Sequence, residues 1–252
     1  MKRRPARRKA KSPANVLRPF WLLIGVLLAA SAGAAYWAAT WPGFWPKHVT
    51  VGGNRVVATA EILQRAAIAP DANVWLQNAR AAADRVAAIP YVDQATVHRW
   101  LPANVRIDVT ERRPFAVVRF ADGDALVDRD LRVLESGAPQ FDLPQLVLPR
   151  VSEPGAGAFL HARDAVRLRD DYLTLEAEHV AARMLRFDRF DELTALTPGG
   201  VVLMLGDDSD LQGKAALVQP ILSQAAVRGR RIAAVDLRAP KTPVVRYGRD
   251  RE

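Results

Sequence analysis

The feature that most constrains this chain is an uncharged run of 22 residues from Phe20 to Trp41, FWLLIGVLLAASAGAAYWAATW. It is apolar all round and lacks the charged face that a helix on a globular surface shows. At about 1.5 Å per helical residue it reaches roughly 33 Å, enough for a hydrocarbon core of about 30 Å. Its aromatic residues gather at the ends, Phe20 and Trp21 at one, Tyr36, Trp37 and Trp41 at the other, with Trp45 just beyond. Indole and phenol rings favour the headgroup level, apolar on one side and wet on the other. The expectation is a transmembrane helix over residues 20–41 in a lipid bilayer, with Phe20, Trp21, Tyr36, Trp37 and Trp41 at its interfaces. A buried globular helix and a cleaved signal peptide are the alternatives. Ala32-Gly33-Ala34 has the small residues of a cleavage site, but the apolar stretch continues through Tyr36-Trp37 and the basic segment before it is long for a signal. An uncleaved anchor is therefore expected, and a mature protein beginning near Ala35 would contradict it.

Charge supports the same organisation. The 252 residues carry a net +9, with a sequence pI near 10.4, which by itself points to nucleic acid. Yet residues 1–18 hold eight of the 36 basic side chains and no acidic one, leaving 28 basic against 27 acidic, a net of +1, for the other 234 residues. No aromatic residue interleaves that arm, so no nucleic-acid partner is expected, and its cations set topology and meet anionic lipid. Positive-inside orientation puts the tail, residues 1–19, in the cytoplasm and everything after Trp41 outside. The absence of cysteine excludes disulfides, thiolate zinc sites, iron–sulfur clusters and a cysteine nucleophile.

Pro42, Gly43 and Pro46 mark a short linker, residues 42–46. A strand over His48–Val51 stops at Gly52-Gly53-Asn54, and Thr59 stands as the N-cap of a helix through about Ala67. Asn78 caps a second helix, Ala79 to Ala88, which Pro90 ends. Two runs of period two follow, Val92 to Trp100 and Val105 to Glu111, joined by Leu101-Pro102-Ala103-Asn104. The order is β-α-α-β-β, an α+β unit over residues 47–114.

Val49-x-Val51-x-Gly53-Asn54, Ile89-Pro90-Tyr91-Val92-x-x-Ala95-x-Val97-x-Arg99-x-x-Pro102 and Val105-x-Ile107-x-Val109-x-Glu111-x-x-Pro114 together resemble a POTRA domain. A single POTRA placed behind a signal anchor is similar to the FtsQ/DivIB cell-division proteins.

Residues 115–252 read as a β-rich domain with flanking helices. Short strands are expected at Phe115–Phe120, Leu126–Asp128 and Arg132–Leu134. A helix is expected from Arg163 to about Leu185, with a stripe of Leu173, Ala177, Val180 and Met184. Phe187–Thr197 and Val201–Leu205 read as a hairpin around Pro198-Gly199-Gly200. Asp210 is expected to cap a helix to Val227 that packs through Leu217, Ile221, Leu222 and Ala225, with Gly229 past its end. Ile232–Leu237 and Val244–Tyr247 read as the last strands. Leu126-Val127-Asp128, Leu143-Pro144-x-Leu146, Leu203-x-Leu205-Gly206 ahead of Lys214, and Val235-Asp236-Leu237-Arg238 resemble the β domain of FtsQ. Asp130-Leu131 departs from it, standing where a glycine often follows the turn.

No catalytic constellation emerges. Glu176 and His179 form one E-x-x-H pair on an expected helix, without the second pair a di-metal bundle needs. Asp207-Asp208-Ser209-Asp210 lacks the twelve-residue calcium pattern and reads as a polar turn. None of the six serines sits in G-x-S-x-G or S-x-x-K. The expectation is a protein with no catalytic site, no metal and no cofactor.

The remaining functional surface is a sheet edge. Val244-Val245-Arg246-Tyr247 reads as an edge strand to which a partner adds a strand. The competing reading is that Arg246, Arg249 and Arg251 only guard that edge from aggregation. Resemblance to FtsQ implies that this region, with Leu237, docks FtsB- and FtsL-like coiled-coil proteins; the edge at Val92–Trp100 is a weaker second candidate. The family implies an inner-membrane scaffold of the divisome, single-pass type II, periplasmic at its C-terminus and found at the septum. It would link early and late division proteins and help control septal peptidoglycan synthesis. The alternative, a POTRA-bearing transport or outer-membrane assembly factor, predicts further POTRA repeats or a following β-barrel.

Overall fold

The computed structural model describes residues 14–137 and 142–248. Its first element, α1 (Ala14–Thr40), contains the span Phe20–Thr40, none of which is buried within the chain. A core helix of a soluble protein would be covered by its own chain; here Phe20, Trp21, Tyr36 and Trp37 are all exposed. Trp37 stacks on Trp41 with ring centroids 5.4 Å apart, and Trp41 meets Phe44 edge-on at 5.0 Å.

The chain separates into two compact units. One comprises residues 14–52, 59–83 and 96–108; the other comprises 53–58, 84–95 and 109–248. The elements after α1 run β1 (His48–Gly52), α2 (Thr59–Ala66), α3 (Ala79–Ala87), β2 (Val92–Trp100) and β3 (Asn104–Glu111). This is the β-α-α-β-β order expected, in a three-stranded sheet ordered β1-β3-β2 with β1 parallel to β3. Asn78 caps α3, its Oδ1 accepting from Ala81 N at 3.0 Å. In the first unit Val74, Ala103 and Val105 form a small core with Val49, Ile68 and Val97 against it.

The pattern quoted from β1 and β3 has a physical basis within the second unit. Gly53 has φ +87°, and a Cβ there would lie 2.0 Å from the Val109 carbonyl oxygen, so only glycine fits. Both oxygens of Glu111 reach the turn that follows, accepting from Val56 N at 3.0 Å and, through Oε1, from Val57 N at 2.8 Å. Burial works against the Glu111 charge, yet these backbone donors hold its carboxyl below the ordinary value.

The second unit is built on a nine-stranded sheet: β4 (Ala116–Arg119), β5 (Asp124–Val127), β6 (Val133–Ser136), β7 (Gln145–Val147), β8 (Met184–Phe187), β9 (Leu193–Leu196), β10 (Val202–Gly206), β11 (Ile232–Asp236) and β12 (Val244–Tyr247). Their spatial order is β12-β11-β10-β9-β8-β7-β4-β5-β6. Alternation along the strands sends Ala116 and Val118 to one face and Val117 to the other. The first face carries the main core, where α4 (Arg163–Ala177) contributes Ala165, Leu168 and Leu175 and α5 (Leu211–Val227) contributes Leu211, Ala215, Val218 and Ala225.

Four sequence expectations need correction. α4 stops at Ala177 rather than near Leu185. His179 takes a left-handed φ of +59° and donates its N–H to Glu176 O, while Val180 N reaches back to Leu175 O at 2.8 Å. That is the reversal glycine usually makes; because histidine makes it, the sequence shows no stop and the apolar period runs on. The buried face of α4 is Ala165, Leu168, Asp171 and Leu175, not the stripe through Leu173. Phe187 belongs to β8, a turn held by Asp188 separates it from β9, and the run Phe187–Thr197 is two strands. Asp210 stands at the N-cap position of α5, its carbonyl accepting from Lys214 N at 3.0 Å, but it sits at φ +50° with its carboxylate against Gly213, and its side chain makes no capping bond. Lys214, 3% exposed, closes that turn instead, its Nζ donating to both Asp207 O and Asp207 Oδ1 at 2.9 Å. Gly229 does end α5, at φ +62°.

Candidate functional site

β12 is the outermost strand of the large sheet and pairs antiparallel with β11: Val244 opposite Asp236, Val245 opposite Val235, Arg246 opposite Ala234. Two bonds fix which way its backbone points. Gly248 N donates inward to Arg231 O at 2.8 Å, and Leu237 N donates to Met204 O on β10, so Ala234 and Asp236 face β12. Peptide groups alternate along an antiparallel strand. Val244, Arg246 and Gly248 therefore bond to β11, and Val245 and Tyr247 present N–H and C=O outward. Among the described residues no other strand lies on that side.

The side chains differ along the strand. Val245 packs on the core, whereas Val244, Arg246 and Tyr247 are exposed. The guanidinium of Arg230 lies 3.6 Å from the Tyr247 ring centroid, holding the phenol ring under a cation. Leu237 is unlike the rest of the expected set. It is fully buried, so its side chain supports the edge from within and is not on its surface. Beside it, Asp236 and Arg238 form a paired fork with Nη2 to Oδ2 at 2.7 Å, and this hydrogen bond holds the Asp236 carboxyl below its usual range. Arg238 folds over Gly206, where a Cβ would sit 3.1 Å from its Cγ. The Leu-Gly and Asp-Leu-Arg patterns thus meet at one place beneath the edge. Arg249 and Arg251, named as possible edge guards, lie outside the described residues.

The opposite edge, β6, is covered where it begins. Val133 N donates to Ala158 O at 2.9 Å, Gly157 N donates to Val133 O at 2.7 Å, and Leu160 N donates to Leu131 O at 2.8 Å. In the small sheet β2 is an outer strand, as the second docking expectation requires.

Two other sequence candidates are not sites. Glu176 lies on the last turn of α4, 3.4 Å from Arg129 Nη2, and His179 is beyond the helix end, so they do not share a face. The acidic run at 207–210 is the turn that Lys214 closes. Among the described residues no group of three His, Cys, Asp or Glu is placed to hold a metal.

Sequence reasoning missed an ionic cluster in the second unit. Arg112, its side chain 10% exposed, donates from Nη1 to Asp128 Oδ2 at 2.6 Å and Asp130 Oδ2 at 3.1 Å, and its Nη2 lies 2.8 Å from Asp93 Oδ1. Burial opposes its charge, but the bond to Asp128 and the fields of Asp128 and Asp93 outweigh that and raise its pKa. Asp128 also accepts from Asp130 N and Arg132 N. Arg132 reaches the carbonyls of Ala87, Ala88 and Ile89. Tyr91 donates to Glu135 at 2.9 Å, and burial with that bond pushes the phenol up to about 12. The only sequence signal for this cluster is Arg112-Arg113-Pro114 closing a strand, which reads equally well as a solvated end.

The geometry matches what comparison with known proteins finds. Residues 44–112 match the family model of the POTRA domain, FtsQ-type. The cell division protein FtsQ of Mycolicibacterium smegmatis is 27% identical over 259 residues, covering 97% of this chain and 73% of that one. FtsQ of Corynebacterium glutamicum is 24% identical over 212 residues, 81% of this chain and 89% of the relative. FtsQ of Novosphingobium aromaticivorans is 30% identical over 194 residues, 77% of this chain and 58% of the relative. An apolar N-terminal helix, an FtsQ-type POTRA domain and a β-rich region ending on an edge strand, together with these relatives, place the chain in the FtsQ/DivIB family of cell-division proteins.

Proposed function

We propose that this protein is a membrane-anchored scaffold of the divisome, with no chemistry of its own, that captures FtsB- and FtsL-like coiled-coil proteins by strand addition to β12. The observation that carries this is the open side of β12, where Val245 and Tyr247 turn backbone donors and acceptors outward beside exposed Val244 and Tyr247. A partner strand would complete that ladder, and the alternating side chains would select it. The basic residues before α1 keep the N-terminus in the cytoplasm and put the POTRA and β domains, residues 47–114 and 115–252, in the periplasm as a single-pass type II protein. From there it would link early and late division proteins at the septum of the inner membrane and help time septal peptidoglycan synthesis.

Val245→Pro tests the reading. It removes an outward N–H and leaves the inward bonds of Val244, Arg246 and Gly248. The folded variant should lose capture of the coiled-coil partners in a pull-down by ten-fold or more, about 1.4 kcal/mol. Undiminished capture by a variant with a native circular dichroism spectrum would remove the proposal.

A further inference from the structure

The chain has six tryptophans. Trp21, Trp37, Trp41 and Trp45 flank the apolar span; Trp75 and Trp100 lie far from it in sequence, and residues 115–252 contain none. In the first unit those two return to the helix end. Asn73 Nδ2 donates to the carbonyl oxygen of Ala38 at 3.1 Å, and Val74 N donates to Phe44 O at 2.9 Å. Ala38 is two residues before the end of α1, about 3 Å along the axis. Asn73 is thus at the level of the last turn of the span, where hydrocarbon gives way to headgroups that extend roughly 5–7 Å further on each side.

The loop held there is rigid. Asn73 Oδ1 accepts from Trp75 N, and Arg99 Nη1 donates to the carbonyls of Val74 and Gln77 at 3.0 Å. Trp75 Nε1 donates to Pro102 O at 3.1 Å, which ties the β2–β3 turn to the same place. Lys47 N bonds to Ala103 O, so the chain leaving the span runs beside that turn as well. Large apolar side chains are exposed around this network: Leu76 is 71% exposed, Leu101 72%, and Trp45, Trp100 and the ring of Trp75 are exposed with them, with the carboxylate of Asp71 beside Leu76. A lone exposed leucine is ordinary; five large apolar residues at one end of a small domain are not.

We propose that Leu76, Trp75, Trp100 and Leu101 form a second membrane contact, a foot by which the POTRA domain rests in the headgroup layer of the leaflet where α1 ends. The occupant is lipid because the foot is bonded to the helix end at interfacial depth and carries the two tryptophans that the span itself does not. The foot would restrict tilting of the first unit on the bilayer and fix the height of its sheet above it. The proposal rests on α1 crossing the membrane, and the test separates the two.

The chain has no cysteine, so single cysteines at Leu76, Leu101 and Thr96 need no background removal. Thr96 is exposed on β2, four residues and about 13 Å back from Trp100. Each variant of the full chain is labelled with an environment-sensitive fluorophore, first in detergent and then in nanodiscs of phosphatidylethanolamine and phosphatidylglycerol. Entry into discs reports on α1 alone. For Leu76→Cys and Leu101→Cys, transfer into discs should raise emission several-fold with a blue shift. Headgroup-nitroxide lipids should quench these labels and aqueous iodide should not; Thr96→Cys should behave in reverse. Chains that enter discs with labels at Leu76 and Leu101 as open to iodide as at Thr96 would overturn the proposal. So would shielding insensitive to nitroxide lipid that grows with chains per disc, which would assign the patch to a second copy.

Discussion

The two edges of the nine-stranded sheet have opposite treatment. β6 is roofed by the segment around Gly157–Leu160, which satisfies both backbone groups of Val133. β12 has no such segment among the described residues. An open strand edge is a hazard that folded proteins usually suppress, with charges, bulges or a covering element. Here the chain places a segment on one edge, while the other keeps Val244, Arg246 and Tyr247 exposed, with Arg230 over the phenol ring. The contrast teaches that the fold can roof an edge, and it singles out the other as the proposed place for another chain.

The comparison can be broken first at the roofed side. Asp128 shapes the turn into β6 and is the buried partner of Arg112, so Asp128→Ala leaves a buried guanidinium with only Asp93 and Asp130, and two backbone donors without their side-chain acceptor. It should cost about 3–5 kcal/mol in denaturant melts, as removing one partner of a buried pair does. A loss under about 1 kcal/mol would mean the cluster is solvated.

Asp171 sits between the edges, on the buried face of α4. Burial first, then the nearby Asp208, push its carboxyl up to about 6 against the pull of Arg167. Its folded value lies above the unfolded one, so the folded state binds the proton more tightly. Stability from this group is fully present below about pH 4, falls as pH rises through about 6, and stays lost above. Asp171→Asn should flatten that slope and raise stability near neutral pH by about 1–3 kcal/mol, with partner capture unchanged. An unchanged stability profile between pH 4 and 7 would contradict this.

At the open edge the effects should be smaller on folding and larger on binding. Val245→Pro is expected to weaken capture while shifting stability little, the reverse of Asp128→Ala. Smaller still, Val244→Ser and Tyr247→Ala should each leave stability within about 0.5 kcal/mol, as exposed substitutions do. Their effect should appear as a several-fold loss of partner affinity in titrations.

Much of this was legible from residue order. β2 and β12 begin and end where alternation and flanking proline or glycine put them, and Gly53 and Glu111 stood in the quoted pattern. The differences have one kind of cause: residues other than those that usually signal a turn or a pairing supply it. His179 makes the turn that glycine would announce, and Lys214 closes the one Asp210 was expected to cap. Arg112 and Asp128 are 16 residues apart, and no period links them. At the site, the edge position of β12 could be read, but the outward direction of Val245 and Tyr247 could not, since it depends on pairing with β11. The same limit explains Leu237, whose side chain is buried because it packs into the core under the sheet.

The central claim is most directly tested by residue-resolved amide exchange of β12 in the free protein and with an FtsB- or FtsL-like partner. The geometry predicts that free Arg246 and Gly248 are protected while Val245 and Tyr247 exchange freely, and that the partner slows only the latter pair. Protection of Val245 and Tyr247 before the partner is added, or no change in them on binding, would contradict it.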